Sequence, residues 1–569
     1  MTNKATKEIL VVGAGPAGLI AALSLAKQGV TVRVIEKQTA FHVTSRGTGT
    51  HARTLEVYRF LGLLDDYLDV AVPMPQMRSY KLPGGTEPSR TWRLWEPIPP
   101  TPDRPILGNS KVLLGQYRLE SIIRNHLAKL GVHVELATEL VDLKHDGDGV
   151  TVKLKKNGTE TVEETRVAYV IGSDGAKGIT RKLMGATFQG QTKDEDGQVW
   201  ADVELEGLTS EASSSLTNIE LINVNLISVT MLANGDGDHH FHIGIMGIGF
   251  DPVELTDPKK FVEFISENIG RHDITFKRII SITYWKPKTC MVNRFYSGRV
   301  FIVGDAAHVH SPTGGQGLNT SIQDSFNLAW KLALVYNGLA PPELLASYET
   351  ERLPVVNQML ATTNALYQRL AAYTSKGAGV QSADPQAALL QWHNVATLSQ
   401  LNINYRWSSI VHDARGNGGI DDWALRARAF EGYPNEPVHA GDRAPDAPAI
   451  FDASGQRTQL HDIFKPMIHA VVVFTTGVGD AEKIDSVIQT VRALPKGTCQ
   501  IVLLGRDTLP EPRDGVATYK DAEGHAFAAY HIEEGRVTVV AVRPDGYVGA
   551  FVHDAAGVQT YFSHIFLGL

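Results

Sequence analysis

Two glycine-rich stretches carry the chemistry this chain could do. The first, Gly13-Ala14-Gly15-Pro16-Ala17-Gly18, follows the apolar run Ile9–Val12 and precedes an apolar stretch of helix formers from Leu19 to Lys27. In that spacing Gly13 suits a tight turn, Gly15 lets the backbone approach a pyrophosphate, and Gly18 allows a helix to pack closely on a sheet. Pro16 pre-sets the first helical turn, where its missing N–H costs nothing. The pyrophosphate would lie on the positive helix end. A second strand, Thr31–Ile35, ends at Glu36, with Lys37 beside it. A carboxylate 18 residues past Gly18 stands where one binds the diol of an adenosine ribose, and it would repel a 2'-phosphate. FAD or NAD suits this site; NADP does not.

The second stretch runs from Gly298 to Asn319. The buried-type run Val300–Val303 ends in Gly304 and Asp305, which puts a carboxylate at a strand tip. Pro312-Thr313-Gly314-Gly315-Gln316-Gly317-Leu318-Asn319 then forms a loop that leads into a helical pattern. Glycines there let backbone amides approach a flat or phosphorylated ligand. In order and wording these motifs resemble the FAD-dependent aromatic hydroxylases, the single-component flavoprotein monooxygenases, in their phenol hydroxylase and polyketide hydroxylase branch. The resemblance is strong from roughly residue 8 to residue 370 and looser beyond.

The resemblance implies roles for particular residues. Asp305 would hold the ribityl chain, and Pro312 with Gly314, Gly315, Gln316, Gly317, Leu318 and Asn319 would lie under the isoalloxazine ring. Arg46, in Ser-Arg-Gly-Thr-Gly, and Gln116, in Gly-Gln-Tyr-Arg, match positions that contact the ribityl or pyrophosphate portion. Val170–Gly185 resembles the family's Asp-Gly motif through Asp174, Gly175 and Arg181, with Gly178 where a serine is usual. The implied reaction reduces tightly held FAD with NADPH or NADH as a transient co-substrate. O2 then adds at the flavin C4a carbon, and the hydroperoxide oxygenates a phenolic ring. The same scaffold also serves epoxidases, Baeyer–Villiger oxygenases and a non-catalytic binding module.

Candidate pocket residues are His51, Pro312, Tyr405 and the pair His240 and His242. Tyr405 lies about one hundred residues past Asp305, where relatives sometimes place a pocket tyrosine. His240 and His242 share one strand face. No third ligand cluster accompanies them, so no metal is expected.

The elements that must position these groups imply an α/β fold. A Rossmann-like FAD-binding domain is expected over 1–75, 105–185 and 286–370, with a mixed β-sheet substrate domain over 76–104 and 186–285. A helical connector over 371–439 leads to a thioredoxin-like α/β domain over 440–569. That last domain has Thr-Thr-Gly-Val-Gly after Phe474 where a dithiol enzyme has CxxC, so dithiol chemistry is excluded. With 569 residues and 43% hydrophobic content, large cores are within reach. A net charge of -8 argues against a nucleic-acid partner and for a small phenolic or aromatic one. Cys290 and Cys499, the only cysteines, fit a reducing, cytoplasmic setting. Ile9–Ala26 is uncharged over 18 residues, but its fingerprint glycines read as strand and helix and not as a membrane span. A homodimer is possible.

Overall fold

Short apolar runs scattered along the chain become neighbours in one sheet. The structure, a computed structural model, describes residues 8–74, 77–80, 83–92, 100–104, 112–192, 197–208, 220–222, 225–233, 239–247, 249–286, 288–311, 313–375, 395–416, 418–476 and 481–569. Strands Tyr296–Ser297, Val300–Ile302, Tyr169–Gly172, Ile9–Val12, Val32–Ile35 and Val134–Glu135 lie side by side in that order. All pair in parallel except the Tyr296–Ser297 edge. The middle strands are buried at every residue, as parallel strands covered on both faces must be. Because they run the same way, the residues just past their carboxyl ends collect at one edge: Gly13, Glu36, Asp174 and Asp305. That edge is where open α/β sheets bind ligands.

The helix Gly317–Tyr336 runs through the centre of the molecule, buried without interruption from Asn319 to Leu334. It packs on the fingerprint helix Pro16–Ala26, and Ser325 Oγ donates to Ala17 O at 2.8 Å. Ala346–Ser375 is a second long helix beside it.

The inserted sheet orders its strands Glu220–Ile222, Asn225–Ala233, His240–Gly247, Gln198–Glu206 and Thr275–Trp285. Expected as mixed, it pairs antiparallel at every one of these junctions. Alternation gives it two unlike faces. Val199, Ala201, Val203, Phe241, Ile243 and Ile245 pack against Phe261, Ile265 and Ile269 of the helix Pro258–Ile269. Trp200, Asp202, Glu204, His240 and His242 point the other way. Asp257 caps that helix by accepting from Lys259 N and Lys260 N.

Residues 371–439 correct an expectation. Between 395 and 439 the described residues hold only the short helices Val395–Leu398 and Asp422–Arg426 and the strand His412–Asp413; the rest is turn and irregular chain. His412–Asp413 pairs in parallel with Val548–Val552, so the described residues from 395 to 439 join the C-terminal sheet, while 376–394 lie outside the described residues. In that eight-stranded sheet, His469–Thr475 and Cys499–Arg506 are parallel across the helix Ala481–Arg492, and Thr538–Val542 and Val548–Val552 form an antiparallel pair before the helix Ala555–Ser563. Residues 477–480, in the loop where a dithiol would sit, lie outside the described residues.

Candidate cofactor and substrate site

The fingerprint glycines differ in what surrounds them. Gly13 turns at φ 103°, and a Cβ there would come within 2.5 Å of Ser173 O. A Cβ on Gly18 would run into Gly13 O and Ser173 Oγ. A Cβ on Gly15 would meet nothing within 4 Å. The helix behind it starts at Pro16 with no side-chain cap and no acid in its first turn. Open space, uncapped amides and a positive helix end are what a pyrophosphate needs. Glu36, half-buried, accepts from Ala14 N through Oε2 and from Gln38 N through Oε1, both at 3.0 Å, and so ties the fingerprint loop to the strand end. Lys37 is exposed, and its carbonyl accepts from Asn157 Nδ2 at 3.0 Å.

At the far side of the edge, Gly304 turns the chain so that Asp305 faces the cleft. Its carboxylate is open to solvent yet crowded by protein. That crowding raises its pKa, and the charges of His308 and Arg46 pull it back part of the way. Water reaches the group, so it is available to a ligand's hydroxyls. The turn is held from beneath by Asp324, which the sequence reading missed. Asp324 Oδ2 accepts from Gly304 N (3.2 Å) and His308 Nε2 (2.6 Å), and Oδ1 accepts from Arg352 Nε (2.7 Å). Burial would raise the Asp324 carboxyl, but Arg352 and His308 outweigh it and keep the group ionised. A carboxylate within a helix buried without interruption from Asn319 to Leu334 was the available signal.

Arg46 is exposed at φ 38°, a conformation rare outside glycine, with Nη2 3.2 Å from His42 Nδ1. Its loop sits between two helix starts. A Cβ on Gly47 would lie 3.7 Å from Gln116 Oε1 and 3.8 Å from Leu318 Cβ. Gln116 N donates to Ser45 O at 3.2 Å, and its side chain donates to Glu120. Thus Arg46, Gln116 and the start of Gly317–Tyr336 converge.

The glycine loop is clamped by side chains. Asn319 Oδ1 accepts from His51 N (2.8 Å), while Nδ2 donates to Gly49 O (3.0 Å) and Gly315 O (2.8 Å). His51 Nε2 lies 3.0 Å from Gly314 O and 3.1 Å from Gly315 O. His51, 3% exposed, clamps the loop, with its ring nitrogen turned to those carbonyls. Gln316, within the expected loop, joins it to Leu398 O and to Gln400. Pro312 lies outside the described residues.

Asp174, Tyr405 and the pair His240 and His242 each have defined partners. Asp174 Oδ2 accepts from Thr180 N and Oγ1, both at 2.9 Å, at the start of the turn Thr180–Leu183. Its carboxylate fills the space that a Cβ at Gly178 would take, which accounts for the glycine there. Tyr405 is 1% exposed, with its hydroxyl accepting from Arg352 Nη1 at 3.0 Å and its ring 4.4 Å from that of Tyr547. It belongs to the packing between the Ala346–Ser375 helix and the C-terminal domain. His240 and His242 do lie together on the polar sheet face, each paired with a carboxylate of the neighbouring strand, Glu204 at 2.7 Å and Asp202 at 2.9 Å. Asp202 also accepts from Ser45 N at 2.8 Å, which fastens this face over the Arg46 loop.

Comparison with known proteins agrees with this arrangement. The FAD binding domain family matches residues 6–363, and the phenol hydroxylase C-terminal dimerisation domain matches residues 513–568. A flavin-dependent monooxygenase of Mycobacteroides abscessus is 30% identical over 561 residues, covering 98% of this chain and 99% of that protein. Pentachlorophenol 4-monooxygenase of Sphingobium chlorophenolicum is 29% identical over 503 residues, covering 86% and 84%. The solved structure of the flavin-dependent monooxygenase PieE in complex with FAD and substrate superposes with a TM-score of 0.78 at 23% identity, over 98% of each chain, and shows the shared fold.

Proposed function

The chain belongs to the FAD-binding family of flavoprotein monooxygenases, and on that premise we propose that it hydroxylates a phenolic or other aromatic substrate with NADPH or NADH and O2. The observation that carries this reading is the collection of Gly13, Gly15, Glu36 and Asp305 at one sheet edge, with a polar sheet face fastened over the Arg46 loop beside it. Gly13, Gly15 and the amides of Pro16–Ala26 would hold the pyrophosphate, Glu36 the adenosine ribose, and Asp305, with Arg46 and Gln116 nearby, the ribityl portion. The backbone of Gly315–Asn319 would support the ring system. Bound FAD supplies the redox chemistry, accepting hydride and activating O2 for transfer of one oxygen atom. The protein's own work is to orient the aromatic ring, manage its hydroxyl proton and exclude water. The positive end of the Gly317–Tyr336 helix favours negative charge on the ring system it faces.

The phenol-directed name of the Sphingobium relative favours hydroxylation over the epoxidase and Baeyer–Villiger alternatives. We assign the cofactor domain to 1–75, 105–185 and 286–370 and the substrate domain to 76–104 and 186–285. The assembly in this reading is a cytoplasmic homodimer, supported by the match to a dimerisation domain and by two free cysteines. Among the described residues no helix is long and apolar enough to cross a membrane. The test is a panel of phenols scored for NAD(P)H oxidation coupled to hydroxylated product, on protein purified yellow. Protein that is colourless and takes up no added FAD overturns the reading.

A further inference from the structure

The two imidazole–carboxylate pairs on the polar sheet face are not equivalent. Glu204, partner of His240, is shared with Arg278 Nη2 at 2.6 Å, and both His240 and Glu204 keep about a quarter of their side-chain surface accessible, 25% and 28%. Asp202 and His242 are enclosed, at 3% and 5% exposure, and the imidazole stacks on Trp200 with centroids 5.0 Å apart and planes 17° from parallel. Asp202 spends its two oxygens on two bodies. Oδ1 takes His242 Nδ1 at 2.9 Å; Oδ2 takes Ser45 N at 2.8 Å and Ser281 Oγ at 3.2 Å. Ser45 adjoins Arg46, whose charge reaches Asp305 across the cleft. The pair is therefore one residue from the cofactor cradle while belonging to the roof.

A carboxylate at Nδ1 makes that nitrogen the donor and leaves the lone pair on Nε2. Among the described residues no group bonds to Nε2 of His242, and 7% of the side chain stays accessible. Burial would raise the Asp202 carboxyl, but the hydrogen bond and charge of His242 and the Ser45 amide hold it below the usual range, so it stays ionised to balance an imidazolium. A base, an orienting carboxylate and, among the described residues, an unbonded ring nitrogen are the components of general-base catalysis.

Resting on the reading as an aromatic hydroxylase, we propose that His242 is the base that takes the substrate's phenolic proton, oriented by Asp202. The substrate O–H bond breaks, the proton bonds to Nε2, and the electron pair stays on oxygen. The phenolate so formed is a richer nucleophile for one oxygen atom of O2: a ring C–O bond forms, the ring C–H proton is lost as aromaticity returns, and the second oxygen leaves as water with the two electrons of NAD(P)H. The proton returns to the product's oxygen, and the imidazole is neutral again. The charged and titratable groups facing this pair are Glu204 and Arg278 from the flanking strands, His240 on its own strand, and Arg46 on the facing loop.

The test uses the full-length holoenzyme and a phenol that the wild type hydroxylates. His242→Gln should keep its FAD spectrum and its anaerobic reduction by NAD(P)H, yet lose about a hundredfold in kcat near pH 7, within the range of general-base effects. Its kcat should then climb with pH as the substrate ionises in solution, while the wild type shows the flatter profile. Asp202→Asn should show the same pH rescue with a smaller loss, and serves as the test if His242→Gln does not fold. An unchanged kcat and pH profile in a folded variant overturns the proposal. So does a loss that rising pH fails to restore, which would mark the pair as structural. A wild type that is yellow and oxidises NAD(P)H but hydroxylates no phenol overturns the functional reading itself, and this proposal with it.

Discussion

The two ends of the central helix Gly317–Tyr336 solve opposite problems. At its start the chain offers open backbone amides, glycines and a solvent-reached carboxylate, Asp305, and leaves them for a ligand. Toward its end, a cluster of buried charged and amide groups is consumed in hydrogen bonds. Lys331 Nζ, Asn327 Nδ2 and Arg543 Nη2 all donate to Glu351 Oε2, at 2.7, 2.7 and 2.9 Å, and Arg543 Nη1 and Ser408 Oγ donate to Oε1 at 2.8 and 2.7 Å. Glu351, Lys331 and Arg543 have no exposed side-chain surface. The lesson is that one helix can be a binding element and a locked junction. What differs is whether its polar neighbours have already been paid in hydrogen bonds.

Breaking the junction should have the largest effect. Glu351→Leu strands Lys331 as a buried cation and leaves Arg543 with Asp545 as its one carboxylate partner, and removing one partner of such a cluster costs about 3–5 kcal/mol. The denaturant midpoint should fall accordingly; a loss under about 1 kcal/mol would mean that water enters and solvates the cations. Asp305→Ala should do the reverse. FAD binding weakens by roughly tenfold to a hundredfold, or about 1.5–3 kcal/mol, while the midpoint of the FAD-free protein hardly moves. Titration with FAD against a parallel unfolding curve separates the two. Glu36→Ala should register on both, because it also ties Ala14 N to the strand end.

Acid sharpens the contrast further. His469, in the C-terminal domain, is 1% exposed with its ring 5.4 Å from those of Trp330 and Phe562, and burial, aided by the charge of Arg543, lowers its pKa from 6.5 to about 3. Below pH 6.5 the unfolded chain binds a proton that the folded one refuses until about pH 3. Stability is therefore whole above 6.5 and declines as pH falls, by about 1.4 kcal/mol per unit at most. Between pH 6.5 and 5, His469→Phe should flatten that decline; equal slopes in both proteins would sink this account. The smallest effect belongs to Cys499. Burial pushes its thiol up to about 12, so thiolate is scarce at pH 8. Iodoacetamide should label the folded protein slowly, and Cys499→Ser should leave turnover intact.

Much of the cradle was legible in the chain. Ile9–Val12, the glycines and Glu36 announce a strand, a turn and a helix because each signal is local. Val300–Ile302 and Asp305 read the same way. Legibility fails where a side chain's role depends on a remote partner. His51 was read as a pocket residue, while its contacts with Asn319 and the carbonyls of Gly314 and Gly315, which make it a clamp, were not legible. Tyr405 was matched by its distance from Asp305, but its hydroxyl is taken by Arg352. The expected helical connector lacks a long helix after 395 because its residues serve as turns and a strand for the C-terminal sheet. The His240 and His242 pair was visible as a shared face; Asp202 and Glu204, alternating on the next strand, were not connected to it.

By itself the sequence determined the local conformations: where φ must be positive, where an apolar run must be covered on both faces, and where a helix starts with free amides. Only the tertiary structure decided that Asp202 joins His242 to Ser45, that Asp324 holds the Asp305 turn, and that Arg543 closes on Glu351. The physical reason is range. Steric and hydrophobic preferences act between near neighbours and repeat with a period the sequence displays, whereas a hydrogen bond between residues 157 positions apart, as between Ser45 and Asp202, exists only once the intervening chain has packed.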